Sequence, residues 1–377
     1  MTTPTPAVVA AEHVVTPDRV LVPGWLRIED GRIAAVGEGE PPEPATYQGH
    51  WALPGFIDMH VHGGGGASFT EGGPDAARRA AAFHRAHGTT RIIASLVTAP
   101  ADELELRAAM LADLADEGVI DGIHLEGPFL SAVRCGAQDP RYLIAPDVAV
   151  FERLHAAARG WLKMITIAPE LPGAPDLIRA VAAAGVIAAA GHTDASAEVT
   201  AEAIDAGVSH ATHLFNGMRP LGHREPGPAG ALLDRQVTCE VVADGTHLHD
   251  MTIRLAARTA GPANLVLITD AMAAAGMLDG TYRLGDLAVT VSDGVARLTD
   301  KPAAIAGSTA TMDQVVRHAI TKTALPVRDV AAASSTTPAR RLGLAKETGA
   351  LKPGLSADLV LLDEAFTLQA VIARGTA

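Results

Sequence analysis

Apolar runs and alanine-rich amphipathic segments alternate through most of this chain. Strand-like runs end at His60, near Leu96, at Glu126, near Ala168, at His192, at His213, near Val242 and at Asp270. Most are followed by a segment whose apolar positions repeat with helical spacing, at 76–87, 102–117, 147–158, 175–184 and 195–206. Several of these segments stop at a glycine (Gly88, Gly118, Gly185, Gly207), the residue that most easily adopts the left-handed turn closing a helix. Eight strand–helix units over about 270 residues predict a (β/α)8 TIM-like barrel, a fold of roughly 250 residues. Alternation alone does not establish closure, and an open doubly wound sheet has the same rhythm.

The two ends read differently. Short strands are expected at 7–13, 25–29 and 32–36, separated by turn signals such as Asp30-Gly31, and another follows Gly354 at 357–362. Segments 1–53 and 346–377 are expected to build one small β-sandwich domain beside the (β/α)8 barrel at 54–345. Residues 280–294, with Thr281–Leu284 and Leu287–Val291, read as a β-hairpin insertion.

The placement of polar residues points to chemistry. His60 and His62 alternate by two, so a strand carries both on one face. Glu126, His192, His213 and Asp270 end other strands, and a barrel gathers its C-terminal strand ends on one face. One histidine at a strand end is usually a surface or hydrogen-bonded residue. Four imidazoles and two carboxylates at such positions instead form a donor set for a borderline divalent ion: zinc first, with iron, nickel or copper also suited. Such an ion lowers the pKa of bound water to about 7, supplying hydroxide at neutral pH. His84, His87, His155 and His318 fall on predicted helices and are assigned no chemistry. His124 and His210 can point inward beside the ligands or serve packing. The run Gly63–Gly66 reads as a loop, since it lacks the strand and helix context of a nucleotide fingerprint.

Composition narrows the reading. With 48% hydrophobic and 19% charged residues the chain can bury a large core, and aromatics at 3% leave Ala, Val, Leu and Ile to fill it. A net charge of −13 argues against a uniformly basic nucleic-acid surface, so an anionic substrate needs a locally basic pocket. Two cysteines, Cys135 and Cys239, give no disulfide framework and suit a reducing compartment. No basic segment leads an apolar core at the N-terminus, and no apolar run approaches the ~18 residues of a membrane span. A soluble cytoplasmic protein is expected.

At these residues the chain resembles the amidohydrolase superfamily. The paired histidines follow Leu53-Pro54-Gly55-Phe56-Ile57-Asp58, and Gly354-Leu355-Ser356-Ala357-Asp358 looks like the family's return to a small β-domain. More narrowly it resembles N-acetylglucosamine-6-phosphate deacetylases, through His124-Leu125-Glu126-Gly127-Pro128-Phe129, Gly191-His192-Thr193, Thr212-His213-Leu214-Phe215-Asn216-Gly217-Met218, Arg224-Glu225-Pro226-Gly227, Ala243-Asp244-Gly245-Thr246-His247 and Thr269-Asp270-Ala271-Met272. The resemblance implies one or two divalent ions per chain on His60, His62, Glu126, His192 and His213, with Glu126 placed to bridge. It implies acetamide hydrolysis with Asp270 as general base and acid, within amino-sugar catabolism and cell-wall recycling. Ala137, Gln138, Asn216, Gly217, His247 and the strip Ile305, Ala306, Gly307 should line the sugar. Arg224 should meet the phosphate, reaching across from a neighbouring subunit, so a homodimer or higher homo-oligomer is implied. Some relatives carry histidine where Gln138 stands. Lys163 lies near the start of its strand, away from the position of a carboxylated metal-bridging lysine. Cys135, on the same predicted loop as Gln138, is read as incidental rather than catalytic. Rival readings are an N-acyl amino acid deacylase, a nucleobase deaminase, or an inactive binding protein on the same fold.

Overall fold

The computed structural model describes residues 7–376; the first six residues of the expected N-terminal β-segment and Ala377 lie outside them. The chain opens with β1 (Ala7–Val15), β2 (Val20–Leu21), β3 (Gly24–Glu29), β4 (Arg32–Glu38) and β5 (Tyr47–Pro54). Then comes β6 (Phe56–Val61), and a small ladder pairs β7 (Gly63–Gly64) with β8 (Ala67–Ser68). The alternation continues with α1 (Gly73–Ala86), β9 (Thr89–Val97), α2 (Ala101–Asp116), β10 (Gly122–Glu126), α3 (Val148–Ala157), β11 (Leu162–Ile167) and α4 (Ala174–Ala183). It ends with β12 (Ile187–Ala190), α5 (Ala197–Ala206), β13 (Val208–Ala211), α6 (Gly227–Asp234), β14 (Thr238–Val242), α7 (Asp250–Ala260), β15 (Leu265–Ile268) and, further on, α8 (Met312–Thr321). The five helices read from periodicity occur where expected, displaced by only a few residues at their ends.

Strands β6 and β9 to β15 form one sheet in chain order, and the register pairs Glu126 with Val97 on one side and Thr166 on the other. Every residue of β6, β9 and β10 is buried, as expected of parallel strands covered on both faces. Backbone hydrogen bonds settle the alternative that alternation left open. Asp270 N donates to His60 O at 2.9 Å and His62 N donates to Ala271 O at 2.8 Å, so the segment after β15 returns to β6 and the barrel closes.

The insertion holds three strands where a hairpin of two was expected. β16 (Gly280–Leu284), β17 (Leu287–Ser292) and β18 (Val295–Leu298) pair antiparallel in that order. Asp293 and Gly294 both have positive φ, at 51° and 73°, which is the two-residue turn that returns a chain into another strand. Leu284, Val289, Val291, Ala296 and Leu298 pack with Met272 and Ala306 in a core of their own.

The ends of the chain meet in one seven-stranded sheet. With β19 (Leu359–Leu362) and β20 (Leu368–Ile372) the order is β20-β19-β5-β1-β3-β4, and β2 pairs with β1. Its core includes Val9, Val14, Leu26, Ile28, Ile33, Leu359 and Leu361. Among the described residues the chain packs as two compact units, one holding those up to Asp58, His84–Arg91 and those from Met312 onward, the other Met59–Phe83 and Ile92–Thr311. The stretch 312–345, expected with the barrel, falls with the terminal segments. Ser335 Oγ donates to Pro54 O at 3.2 Å, and Arg328 Nη2 to Pro17 O at 2.9 Å.

Asp358 ties that unit together. Its buried carboxylate accepts from Arg91 Nη2 at 3.0 Å, Thr348 Oγ1 at 2.7 Å and the Arg374 backbone N–H at 2.7 Å. Removing one partner of a buried ion pair typically costs about 3–5 kcal/mol, because the other charge is left without compensation. Asp358→Ala should therefore lower the urea midpoint of the unit by that equivalent; an unchanged midpoint would show that the pair is dispensable.

Candidate active site

His60 on β6 and His62, one residue past its end, bring their Nε2 atoms to 3.1 Å. Asp270 Oδ1 lies 3.4 Å from each. Glu126 ends β10, and its Oε1 lies 2.9 Å from Nε2 of both His192 and His213, which are themselves 3.1 Å apart. Its other oxygen, Oε2, lies 3.2 Å from His62 Nε2. The six groups thus form two triads, His60–His62–Asp270 and Glu126–His192–His213, joined by the Glu126 carboxylate.

Besides His62, three of these residues lie past strand ends rather than at them. His192, His213 and Asp270 each lie two positions past β12, β13 and β15. Their φ angles are 47°, 27° and 51°, in the left-handed region that non-glycine residues avoid. Backbone strain of this kind persists only where the surroundings hold it, and it collects at functional sites.

A further layer fixes which ring nitrogens face the triads. His60 Nδ1 lies 3.1 Å from Glu240 Oε2, His62 Nδ1 3.2 Å from Ser95 O, and His192 Nδ1 2.8 Å from Arg134 O. A carbonyl or carboxylate oxygen can only accept, so in each ring Nδ1 carries the hydrogen and Nε2 turns a lone pair toward the centre. Two lone pairs facing each other at 3.1 Å need a cation between them. Burial works against charge on His60, yet Glu126, Glu240 and Asp270 outweigh it and raise its pKa well above the usual imidazole value. Burial likewise opposes charge on Glu126, but His60, His192 and His213 hold its carboxyl well below the usual range. The site is a field that draws positive charge, and its N and O donors fit a borderline divalent ion.

Glu240 is the functional residue that sequence reasoning missed. Besides His60, it accepts from His213 N at 3.0 Å through Oε2 and from His210 Nε2 at 3.1 Å through Oε1, so it braces one histidine of each triad. A carboxylate within the apolar strand Thr238-Cys239-Glu240-Val241-Val242 was the available signal. His124 proves to be inward-facing: Nδ1 meets Ser95 Oγ at 3.0 Å and Nε2 meets Thr166 Oγ1 at 2.9 Å.

Above the triads lies a cavity of ≈ 270 Å³, just below the roughly 300–1,000 Å³ typical of small-molecule sites. Ala137, Gln138, Asn216, Gly217, His247, Ile305 and Gly307 all line it. Gln138 is oriented from both ends: its Oε1 accepts from Thr98 N at 2.8 Å and its Nε2 donates to Glu126 Oε2. Ala306 does not line the cavity; it is buried in the core beneath the three-stranded insertion. Arg224 does not line it either, and sits exposed on its loop. Leu284, Ala303 and Ala304 add an apolar wall that sequence reasoning did not include.

Residues 51–377 match the amidohydrolase family. The chain is an amidohydrolase. Its similarity to N-acetylglucosamine-6-phosphate deacetylase of Bacillus subtilis is 36% identity, covering 96% of this chain and 94% of the relative. To N-acetylgalactosamine-6-phosphate deacetylase of Escherichia coli O157:H7 it is 34%, covering 96% and 98%. A solved structure of an aspartate-to-alanine mutant of the N-acetyl-D-glucosamine-6-phosphate deacetylase of Mycobacterium smegmatis, in complex with N-acetyl-D-glucosamine-6-phosphate, shares 46% identity. The TM-score is 0.95, over 98% of each chain.

In this amidohydrolase the Glu240 brace generates a prediction. Partners that orient metal-binding histidines typically carry 10–100-fold in metal affinity. Glu240→Gln should weaken metal retention by about that factor in a chelator competition. Retention equal to wild type in a folded variant would mean that Glu240 only packs.

Proposed function

We propose that this amidohydrolase hydrolyses the acetamide of N-acetylglucosamine 6-phosphate, releasing glucosamine 6-phosphate and acetate. The observation that carries the reading is the position of Asp270, with one carboxylate oxygen 3.4 Å from the His60 and His62 nitrogens and the other 3.7 Å from His247 Nε2 at the cavity floor. Similarity to the deacetylases above supports the substrate.

His60, His62, Glu126, His192 and His213 would hold one or two divalent ions per chain, zinc by the chemistry of the donors, with iron or another transition metal able to substitute. Such an ion supplies Lewis acidity and lowers the pKa of water at neutral pH. Asp270 supplies the proton transfers. Burial opposes its charge, yet His60 and His62 hold its carboxyl below the ordinary range, so it is ionised and ready to accept the proton of the attacking water. It then returns that proton to the departing amine, whose nitrogen must be protonated to leave. His247 stabilises the oxygen of the tetrahedral intermediate. Burial lowers its pKa, but the Asp244 carboxylate, 2.8 Å from its Nδ1, outweighs this and favours the protonated ring. The ring can then donate from Nε2 into the cavity while Nδ1 donates to Asp244.

Ala137, Gln138, Asn216, Gly217, Ile305 and Gly307 hold the sugar. Arg224 meets the phosphate from a neighbouring chain in a homodimer or higher homo-oligomer; its exposure outside its own chain's cavity supports that route. Among the described residues no helix is long and apolar enough to cross a membrane. Two free cysteines support a cytoplasmic setting.

Acetate release from N-acetylglucosamine 6-phosphate, its galactosamine epimer and the unphosphorylated sugar tests the substrate directly. Turnover preferring the free sugar would sink the proposal. Asp270→Asn keeps the side-chain shape but cannot take a proton, so kcat should fall about 10²–10⁴-fold with metal content and substrate affinity retained. Metal lost in step with activity would instead make Asp270 a ligand first. A charged hydrogen bond contributes ~1.5–3 kcal/mol, so Arg224→Ala should cost about ten- to a hundredfold in kcat/KM on the phosphorylated sugar alone. Equal losses on both sugars would assign Arg224 a structural role.

A further inference from the structure

Among the described residues, three groups of imidazole and carboxylate side chains bring their donor atoms within 4.8 Å of one another. Two are the triads of the cavity floor. The third, Glu12, His13 and His50, belongs to the terminal sheet and enters no step of the proposed reaction.

The strand register assembles it. β1 and β5 run parallel with Ala11 opposite Gly49 and His13 opposite Trp51, which sets Glu12 beside His50. His50 Nδ1 lies 3.0 Å from Glu12 Oε2. The His13 ring stacks on Trp51 with centroids 4.1 Å apart and planes at 23°, and Trp51 stacks on Phe366 at 5.1 Å and 29°. His13 also meets His50 edge-on at 5.2 Å. Stacking holds His13 in one orientation, so part of the ordering cost of binding is already met. The Glu12 side chain, 66% exposed, is free to adjust.

We propose that Glu12, His13 and His50 form an auxiliary site for a borderline divalent transition-metal ion. Zinc-like ions bind imidazole and carboxylate at about 2.0–2.2 Å. A tetrahedron of such bonds separates its donors by roughly 3.4 Å, so the present spacing closes onto an ion by side-chain rotation. Two imidazoles select transition metals over magnesium and calcium, which prefer all-oxygen shells. Three protein donors leave a position for water. A bound ion adds a link between β1 and β5 and stabilises the folded chain by mass action.

Copper(II) is the strictest probe, because it binds nitrogen donors most tightly among the divalent first-row ions. The full-length, zinc-loaded protein carries Trp25→Phe and Trp161→Phe, so that Trp51 alone emits. Copper should quench that emission saturably, with one equivalent bound beyond the zinc content. His50→Ala and Glu12→Gln should each weaken the quenching affinity at least tenfold while deacetylase activity without copper stays unchanged. Quenching that does not saturate, or affinities equal to wild type in both variants, overturns the site. Should His50→Ala lose its cooperative unfolding transition, Glu12→Gln decides, since its carboxylate is solvent-exposed and its loss leaves the sheet intact.

Discussion

The barrel floor concentrates three carboxylates, Glu126, Asp270 and Glu240, among buried imidazoles, and that charge must be balanced where little water is available to screen it. Charges in such a setting persist only when each is paired. The pairing is dense here. Glu126 touches three imidazole nitrogens, Glu240 two and a backbone N–H, and Asp270 two more. With three of the rings protonated at Nδ1 by their outer partners, the facing Nε2 lone pairs complete a cradle for positive charge. The same field accounts for the raised basicity of His60 and the depressed pKa of Glu126.

Much of the surrounding architecture serves to hold that cradle. The backbone of Asp270 itself donates to His60, so barrel closure and site assembly are one event. The left-handed turns at His192, His213 and Asp270 put strain at the mouth of the barrel, where a regular strand would have spread the side chains over alternate faces. Glu240 reaches from β14 to a histidine of each triad, making their relative position a property of one rigid side chain. A catalytic site of this kind gains from donors fixed before the substrate arrives, since no reorganisation is then needed during reaction.

The acidic character of the chain sharpens the substrate problem. A protein of net charge −13 with three carboxylates in its floor attracts a phosphorylated sugar only through local cations. Among the described residues the cavity lining holds no arginine or lysine. In the proposed enzyme a protonated His247 and a bound metal would provide positive charge at the acetamide end, and an arginine from a second chain would be the complement at the phosphate end. Assembly and specificity are then linked in the proposed enzyme.

The repeating pattern of apolar runs and amphipathic segments determined the strand–helix rhythm, and helix positions came within a few residues because side-chain period is a local property. The alternation of His60 and His62 and the isolated Glu126 likewise pointed to the face on which the two candidate triads gather, since those residue types are expensive to bury without a purpose. Closure of the barrel and the grouping of residues 312–345 with the chain ends depended on contacts between residues far apart in sequence. So did the part played by Glu240, whose meaning lies in His60, His210 and His213 and not in its neighbours along β14. Ala306 and Arg224 show the same limit from the other side. A motif names the segment that approaches a site, but burial in the insertion core and exposure on a loop decide which side chains within it can touch a ligand, and those are properties of the packed molecule.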